Sequence, residues 1–191
     1  MKNIILVGPQ GSGKGTQARI LADLFGYEIF ETGAVLRAMA QEDTDLGRKV
    51  KEITTRGDLV PNEIVMEIVQ DFIEKSESNH IIFDGIPRSE EQRVALEQLL
   101  EENEMEFQAV EVGLPIEQCM ERLLKRAEIE GRADDNPEAI RNRLKNFFKY
   151  TEPLLEHWGE RGMLVEVNGD QEVSDVSAEL IEKLGLLNEE E

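Results

Sequence analysis

The chain is predicted to form an α/β fold, a five-stranded parallel sheet with helices on both faces, and three features of the sequence carry that expectation. Short apolar runs alternate with longer stretches of helical periodicity, the order expected of parallel strands joined by crossover helices. The runs are apolar on consecutive residues, as in strands buried on both faces. The first run leads through a glycine-rich loop into a helical pattern, with Ala18, Leu21, Ala22 and Phe25 at i, i+3, i+4 and i+7. Strands are expected at residues 3–7, 28–32, 80–84, 109–114 and 163–167. At 191 residues there is room for one such core with small insertions, so a single domain over 1–191 is expected.

Residues 8–17, GPQGSGKGTQ, read as a phosphate cradle at the first strand-to-helix turn. Its glycines lack a Cβ, so successive backbone N–H groups can face phosphate oxygens beside the positive end of the helix. Lys14 adds a full, mobile charge for the β- and γ-phosphates. A strict Walker A string has Ser or Thr directly after the lysine. Here Gly15 intervenes and the hydroxyl arrives at Thr16, which leaves a direct side-chain magnesium ligand open. Residues 32–60 carry helical patterns with no strand between them. Pro61, Pro115 and Pro137 stand at helix starts, the last with Asn136 as N-cap. Pro153 lies inside the pattern from Ile140 to Trp158 and is expected to break or kink it. The 32–60 segment and the polar loop 127–136, AEIEGRADDN, read as insertions over the carboxyl end of the sheet, where open α/β folds bind ligands.

Composition excludes several partners. A net charge of −20 argues against nucleic acid and anionic membrane, both of which need a basic face. No segment approaches the roughly 20 apolar residues of a membrane span, and the N-terminus lacks a signal-peptide layout, so a cytoplasmic location is expected. Cys119 is the only cysteine, which rules out an intramolecular disulfide or a multi-cysteine zinc site; it reads as a small buried apolar residue. His80 and His157 read as hydrogen-bonded structural histidines.

Two further constellations carry chemistry. Asp84 ends the third strand run and is followed by Gly85, Ile86, Pro87 and Arg88, with Gln92 a helical turn beyond. An acid at a strand tip beside a phosphate loop has the place of a Walker B group, which would hold magnesium through water because that ion dehydrates reluctantly. Arg88 can fork onto a phosphate, and Gln92 offers both donor and acceptor to a base edge. Arg122, Arg126, Arg132 and Arg143 form the second set, and in so acidic a chain guanidinium groups on one cleft favour anion clamping.

Taken together, GPQGSGKGTQ, ETGAVLR at 31–37, GDLVPNEIV at 57–65, DGIPRSEEQ at 84–92, and RLLKR with GRADDN and RNRL resemble the adenylate kinase family in its short-lid form. The match runs through almost the whole chain in the family's order, and Gly15 followed by Thr16 is usual there. The resemblance implies a P-loop nucleoside monophosphate kinase fold and the reversible reaction ATP + AMP = 2 ADP with Mg²⁺. It implies ATP phosphates at Gly11, Ser12, Gly13, Lys14, Gly15 and Thr16, covered by Arg122 and Arg126, and adenine near the backbone of Gln171. AMP would be held by Thr32, Gly33, Arg37, Asp58, Leu59, Val60, Gly85, Ile86, Pro87, Arg88 and Gln92. Arg132 and Arg143 would clamp the phosphates in transit, so the catalytic set is Lys14, Arg88, Arg122, Arg132 and Arg143, with Asp84 holding magnesium through water. Residues 32–60 would be the AMP-binding insertion and 125–135 a short lid, in a monomer. The rivals are a UMP/CMP-type kinase on a similar scaffold, against which Thr32 and Gln92 speak, and a nucleotide-sensing module without turnover, which predicts a missing catalytic arginine.

Overall fold

The computed structural model describes residues 1–78, 80–131 and 135–188, so Arg132 lies outside the described residues. Five strands, β1 Asn3–Val7, β2 Glu28–Glu31, β3 Ile81–Asp84, β4 Phe107–Gly113 and β5 Leu164–Asn168, pair in parallel in the order β2-β3-β1-β4-β5. The helices are α1 Lys14–Phe25, α2 Thr32–Met39, α3 Asp45–Thr55, α4 Asn62–Lys75, α5 Glu90–Glu102, α6 Ile116–Glu130, α7 Pro137–Asn146, α8 Glu152–Glu160 and α9 Val173–Leu184. All five expected strands are present, with ends shifted by one or two residues. Thr32 belongs to α2 rather than β2, and β3 begins at Ile81, whose N–H donates to Asn3 Oδ1 at 2.8 Å.

Side chains alternate across a strand, and here both sets are apolar. Ile5 and Val7 join a core with Val65 and Val69 of α4, Leu96 and Leu100 of α5, and Trp158 of α8. Ile4 and Leu6 join the opposite core with Ala18 and Leu21 of α1 and Val176 and Leu180 of α9. Each fully buried aliphatic side chain contributes about 1.5–3 kcal/mol of transfer free energy, which makes β1 the best-anchored strand. That anchoring matters because β1 carries the phosphate loop, and because the chain winds to β3 on one side of it and β4 on the other. A crevice at the carboxyl ends follows from that reversal.

The prolines behave as their covalent geometry requires. Pro61 and Pro115 immediately precede α4 and α6, and Pro137 opens α7 with Asn136 Oδ1 accepting from the Ala139 N–H at 2.9 Å. Pro153 does interrupt the helix, through a π-helical turn, Phe147–Thr151, in which the Glu152 N–H reaches back to the Phe147 carbonyl. The wide turn has a consequence at the cleft: the Thr151 hydroxyl donates to the Arg88 carbonyl at 2.9 Å. Below it, Glu97 of α5 accepts from Trp158 Nε1 at 2.7 Å and from Arg93 at 2.8 Å, tying α5 to α8.

Cys119 is fully buried, as expected of a small apolar residue. His157 lies 2.9 Å from Arg93 and 3.1 Å from Arg161 and so joins that structural network. His80 departs from expectation: it precedes β3, and its buried Nδ1 has no hydrogen-bond partner among the described residues. Among the described residues, no helix is long and apolar enough to cross a membrane.

Candidate active site

The loop after β1 is shaped by what a side chain would strike. A Cβ at Gly8, where φ is +145°, would collide with the Val112 carbonyl of β4, and Gly13 holds φ at +102° as the N-cap of α1. No side chain caps α1, and the Thr16 N–H turns back to the Gly13 carbonyl at 3.0 Å, so an anion would be met by the N–H groups that precede it. Lys14 folds back over the loop, donating to the carbonyls of Gly8 at 2.8 Å and Pro9 at 2.9 Å. Burial pushes its pKa down to about 8, against the pull of Asp84 and with a further push from Arg88.

This yields a signed pH prediction. A phosphate seated on Lys14 would be bound by its cation, which the free protein loses above pH 8. The kcat/KM for ATP is therefore expected to fall about tenfold per pH unit above pH 8. With phosphates bound, the lysine pKa rises, so kcat should hold level to higher pH. Steady-state profiles at fixed ionic strength and excess magnesium separate the two; a level kcat/KM up to pH 9.5 would contradict the assignment of Lys14.

The residue after Lys14 is glycine for a visible reason. A Cβ at Gly15 would stand 3.3 Å from Asp84 Oδ2 and 3.6 Å from Arg19, so a hydroxyl side chain there would crowd the carboxylate, while Thr16 still lines the cleft. Asp84 is 8% exposed, and burial raises its pKa, with Lys14 opposing. A desolvated carboxylate in a phosphate-binding cleft is a hard oxygen donor that a divalent cation would hold ionised, so the residues present fit magnesium.

Two cavities open at the carboxyl ends of the strands. The larger, 290 Å³, is lined by Gly11, Gly13, Lys14, Gly15, Thr16, Asp84, Pro87, Arg122 and Arg126. The smaller, 70 Å³, is lined by Thr32, Leu36, Thr54, Asp58, Leu59, Val60, Val65 and Gln92. They share Gly33, Arg37, Gly85, Arg88 and Arg143, so three guanidinium groups stand on the common wall. The smaller cavity is well below the roughly 300 Å³ at which small-molecule sites begin.

That segment is fastened to α7. Asn142 Nδ2 donates to the Arg56 carbonyl at 2.9 Å and to Asp58 Oδ1 at 2.8 Å, and Asn146 Nδ2 to the Gly57 carbonyl at 3.2 Å. Hydrogen bonds from Arg56 and Asn142 hold the Asp58 carboxyl below its ordinary range. Its side chain is thus engaged at α7, and Asp58 offers the cavity mainly backbone.

The arginines are held by a residue that motif reading did not single out. Asp135, with a fully buried side chain, accepts from Arg126 Nε at 2.7 Å and Nη2 at 2.8 Å, and from Arg143 Nη2 at 2.5 Å. Burial pushes its pKa up, but the hydrogen bonds from both arginines outweigh it and hold the carboxyl below the ordinary range. Arg122 reaches the Gly169 carbonyl at 3.3 Å.

Not every residue expected at the site lies on a cavity wall. Ile86 belongs to the apolar core, because the segment between β3 and α5 must turn one side chain inward. Ser12 is buried, with no partner for its hydroxyl among the described residues. Gln171 lies outside both cavities, its amide bound to the Asn168 carbonyl at 2.9 Å and to Glu179 at 2.6 Å. Conversely Arg19, Glu31, Thr54 and Asp135 were not anticipated. Asp135 stands in the quoted GRADDN segment, and Glu31 opens ETGAVLR, but neither spacing assigns a role.

A glycine-rich loop after β1, an acid at the tip of the adjacent β3, and two cavities meeting at an arginine wall are the features of a P-loop phosphotransferase. The adenylate kinase family profile matches residues 6–163, well over half the chain. A protein named adenylate kinase from Thermus thermophilus is 40% identical over 184 residues, spanning 96% of this chain and 97% of that one. Its namesake from Micrococcus luteus is 40% identical, spanning 95% and 90%, and that from Leptospira biflexa 38% identical, spanning 96% and 100%. The chain belongs to the adenylate kinase family and is a nucleoside monophosphate kinase.

Proposed function

We propose that this chain transfers the γ-phosphoryl group of MgATP to AMP, with ATP in the larger cavity and AMP in the smaller. The observation that carries this reading is the shared wall of Arg37, Arg88 and Arg143, which brings both nucleotides' phosphates to one cationic seam. The β- and γ-phosphates would lie on the backbone N–H groups of Gly11–Thr16 and on Lys14, under Arg122 and Arg126. The AMP phosphate would lie on Arg37 and Arg88. One of its oxygens attacks the γ-phosphorus while the bond to the β–γ bridging oxygen breaks, and ADP departs from each pocket. Because the second pKa of a phosphate monoester is about 6, the attacking oxygen is already ionised at pH 7 and no general base is needed. Magnesium, when bound near Asp84 and Thr16, would neutralise charge on the triphosphate. The protein's own part is in-line positioning and the placement of arginine and lysine charge where the transferring group becomes most anionic.

Closure supplies the remaining requirement. Residues 32–60 would fold over AMP and 125–135 over ATP, excluding the water that would otherwise waste ATP by hydrolysis. A cytoplasmic monomer is consistent with that design, since each chain carries both pockets.

Base selection follows from one hydrogen bond. The Arg88 N–H donates to Gln92 Oε1 at 2.8 Å, which leaves the Gln92 amide N–H₂ as the group offered to the base. A donor there pairs with an unprotonated ring nitrogen of adenine and opposes guanine, whose N1 carries a hydrogen. In a coupled assay with MgATP against AMP, CMP, UMP and GMP, AMP is expected to give a kcat/KM at least about 10²-fold above GMP. A preference for UMP or CMP over AMP would move the chain to the pyrimidine class.

A further inference from the structure

Glu31 has an unusual position for a carboxylate. It ends β2 in register with Asp84 at the end of β3, and it lines the larger cavity where an anion is to be bound. It is also the N-cap residue of α2, yet its side chain makes no capping bond. It reaches instead to Arg37, with Oε1 2.8 Å from Nη2, and each side chain of the pair is one-third exposed. The other arm of that guanidinium lies over the first turn of α2, since a Cβ at Gly33 would stand 2.9 Å from Arg37 Nη1. The uncapped N–H groups of α2, the buried Thr32 hydroxyl without a partner among the described residues, and Arg37 therefore stand together where an anion could bind, with the Glu31 carboxylate already on Arg37.

From this geometry we infer that Glu31 is an internal competitor of the acceptor's phosphate, occupying Arg37 in the empty protein and weakening nucleoside monophosphate binding. The inference rests on the assignment of AMP to the smaller cavity. An ion pair one-third exposed to water is weak, so an incoming phosphate dianion can displace it. Displacement does not remove the carboxylate, which stays close enough to repel the phosphate. Glu31 also lines the larger cavity beside Asp84, so its effect on the acceptor is read through its bond to Arg37, while Lys14 and the phosphate loop would hold the donor. ADP in the acceptor pocket presents the same phosphate at the same corner and is weakened equally.

The test is calorimetric titration of AMP, adenosine and MgATP into the wild-type chain, Glu31→Gln and Glu31→Ser. Both variants are expected to bind AMP about five- to tenfold more tightly, with adenosine affinity within about twofold of wild type. Unchanged or weaker AMP binding in both variants overturns the inference, the weaker result meaning that Glu31 positions Arg37. Equal tightening of adenosine also overturns it, because the uncharged nucleoside has no phosphate to compete. A wild-type chain that binds MgATP but no AMP overturns the acceptor assignment itself, and is read before either variant is compared.

Discussion

Replacing Lys14 by methionine is expected to lower kcat/KM for ATP by about 10³-fold or more while leaving Tm unchanged or raised. The two halves of that result come from one fact, that Lys14 is a buried cation whose pKa burial has pushed down to about 8. Among the described residues its ammonium donates to the Gly8 and Pro9 carbonyls and is attracted by Asp84, and together these do not offset its desolvation. Methionine has nearly the same length and shape and no charge to desolvate, so the loop keeps its packing. In the transition state the balance reverses. A mobile full charge beside the transferring phosphoryl group is worth far more in a water-excluded cleft than in solution, and nothing else on the loop replaces it. Arg88→Ala should cost a comparable factor, but with some loss of stability, because Arg88 Nε also donates to the Gly85 carbonyl at 2.8 Å. A coupled assay beside a thermal scan measures both effects. A fall of less than tenfold in the folded methionine variant would remove Lys14 from the mechanism.

What could be read in the sequence divides along a physical line. β1 and β3 were legible because burial on both faces makes a contiguous apolar run, shown most plainly in Ile4, Ile5, Leu6 and Val7, whereas β2 and β5 carry glutamates and are only partly buried. The phosphate loop was legible because its glycines answer local constraints, such as the Val112 carbonyl facing Gly8. Residues whose place depends on which elements become neighbours were not legible. Glu31 meets Asp84 only because β2 pairs with β3, and Asp135 holds Arg126 and Arg143 only because α6 and α7 bring those two arginines together. Motif reading also treats contiguous residues alike. It placed Ile86 with Gly85 and Arg88, whereas the chain turns Ile86 into the core and its neighbours into the cleft. The π-helical turn shows a third limit: Pro153 announces a broken helix, but not that the break would carry Thr151 to the Arg88 carbonyl.

Asp135→Asn is expected to lower kcat by about 10- to 100-fold without raising KM for either nucleotide. The wild-type carboxylate spends its charge on two guanidinium groups at once, so Arg126 and Arg143 are held in fixed directions with their combined charge partly neutralised. An asparagine of the same shape keeps one acceptor oxygen and gives up the charge. Both arginines then attract phosphate more strongly but are aimed less well, which favours ground-state binding over in-line transfer. Stability should fall as well, because a fully buried carboxylate is lost from between two partly exposed arginines. The cost is about 2–3 kcal/mol, at the low end for breaking a buried pair since Arg126 remains 28% exposed. For a chain of this size that lowers Tm by about 5–10 °C. The pH dependence gives the sign. The native pKa of Asp135 lies below its unfolded value near 4, so its stabilisation is complete above that value and is lost as pH falls through the native one. The gap in Tm between wild type and Asp135→Asn should therefore be constant from pH 8 to about 5 and close progressively at lower pH. A variant with wild-type turnover and a Tm gap that persists unchanged into strong acid would mean that Asp135 neither aims the arginines nor stabilises them through its charge.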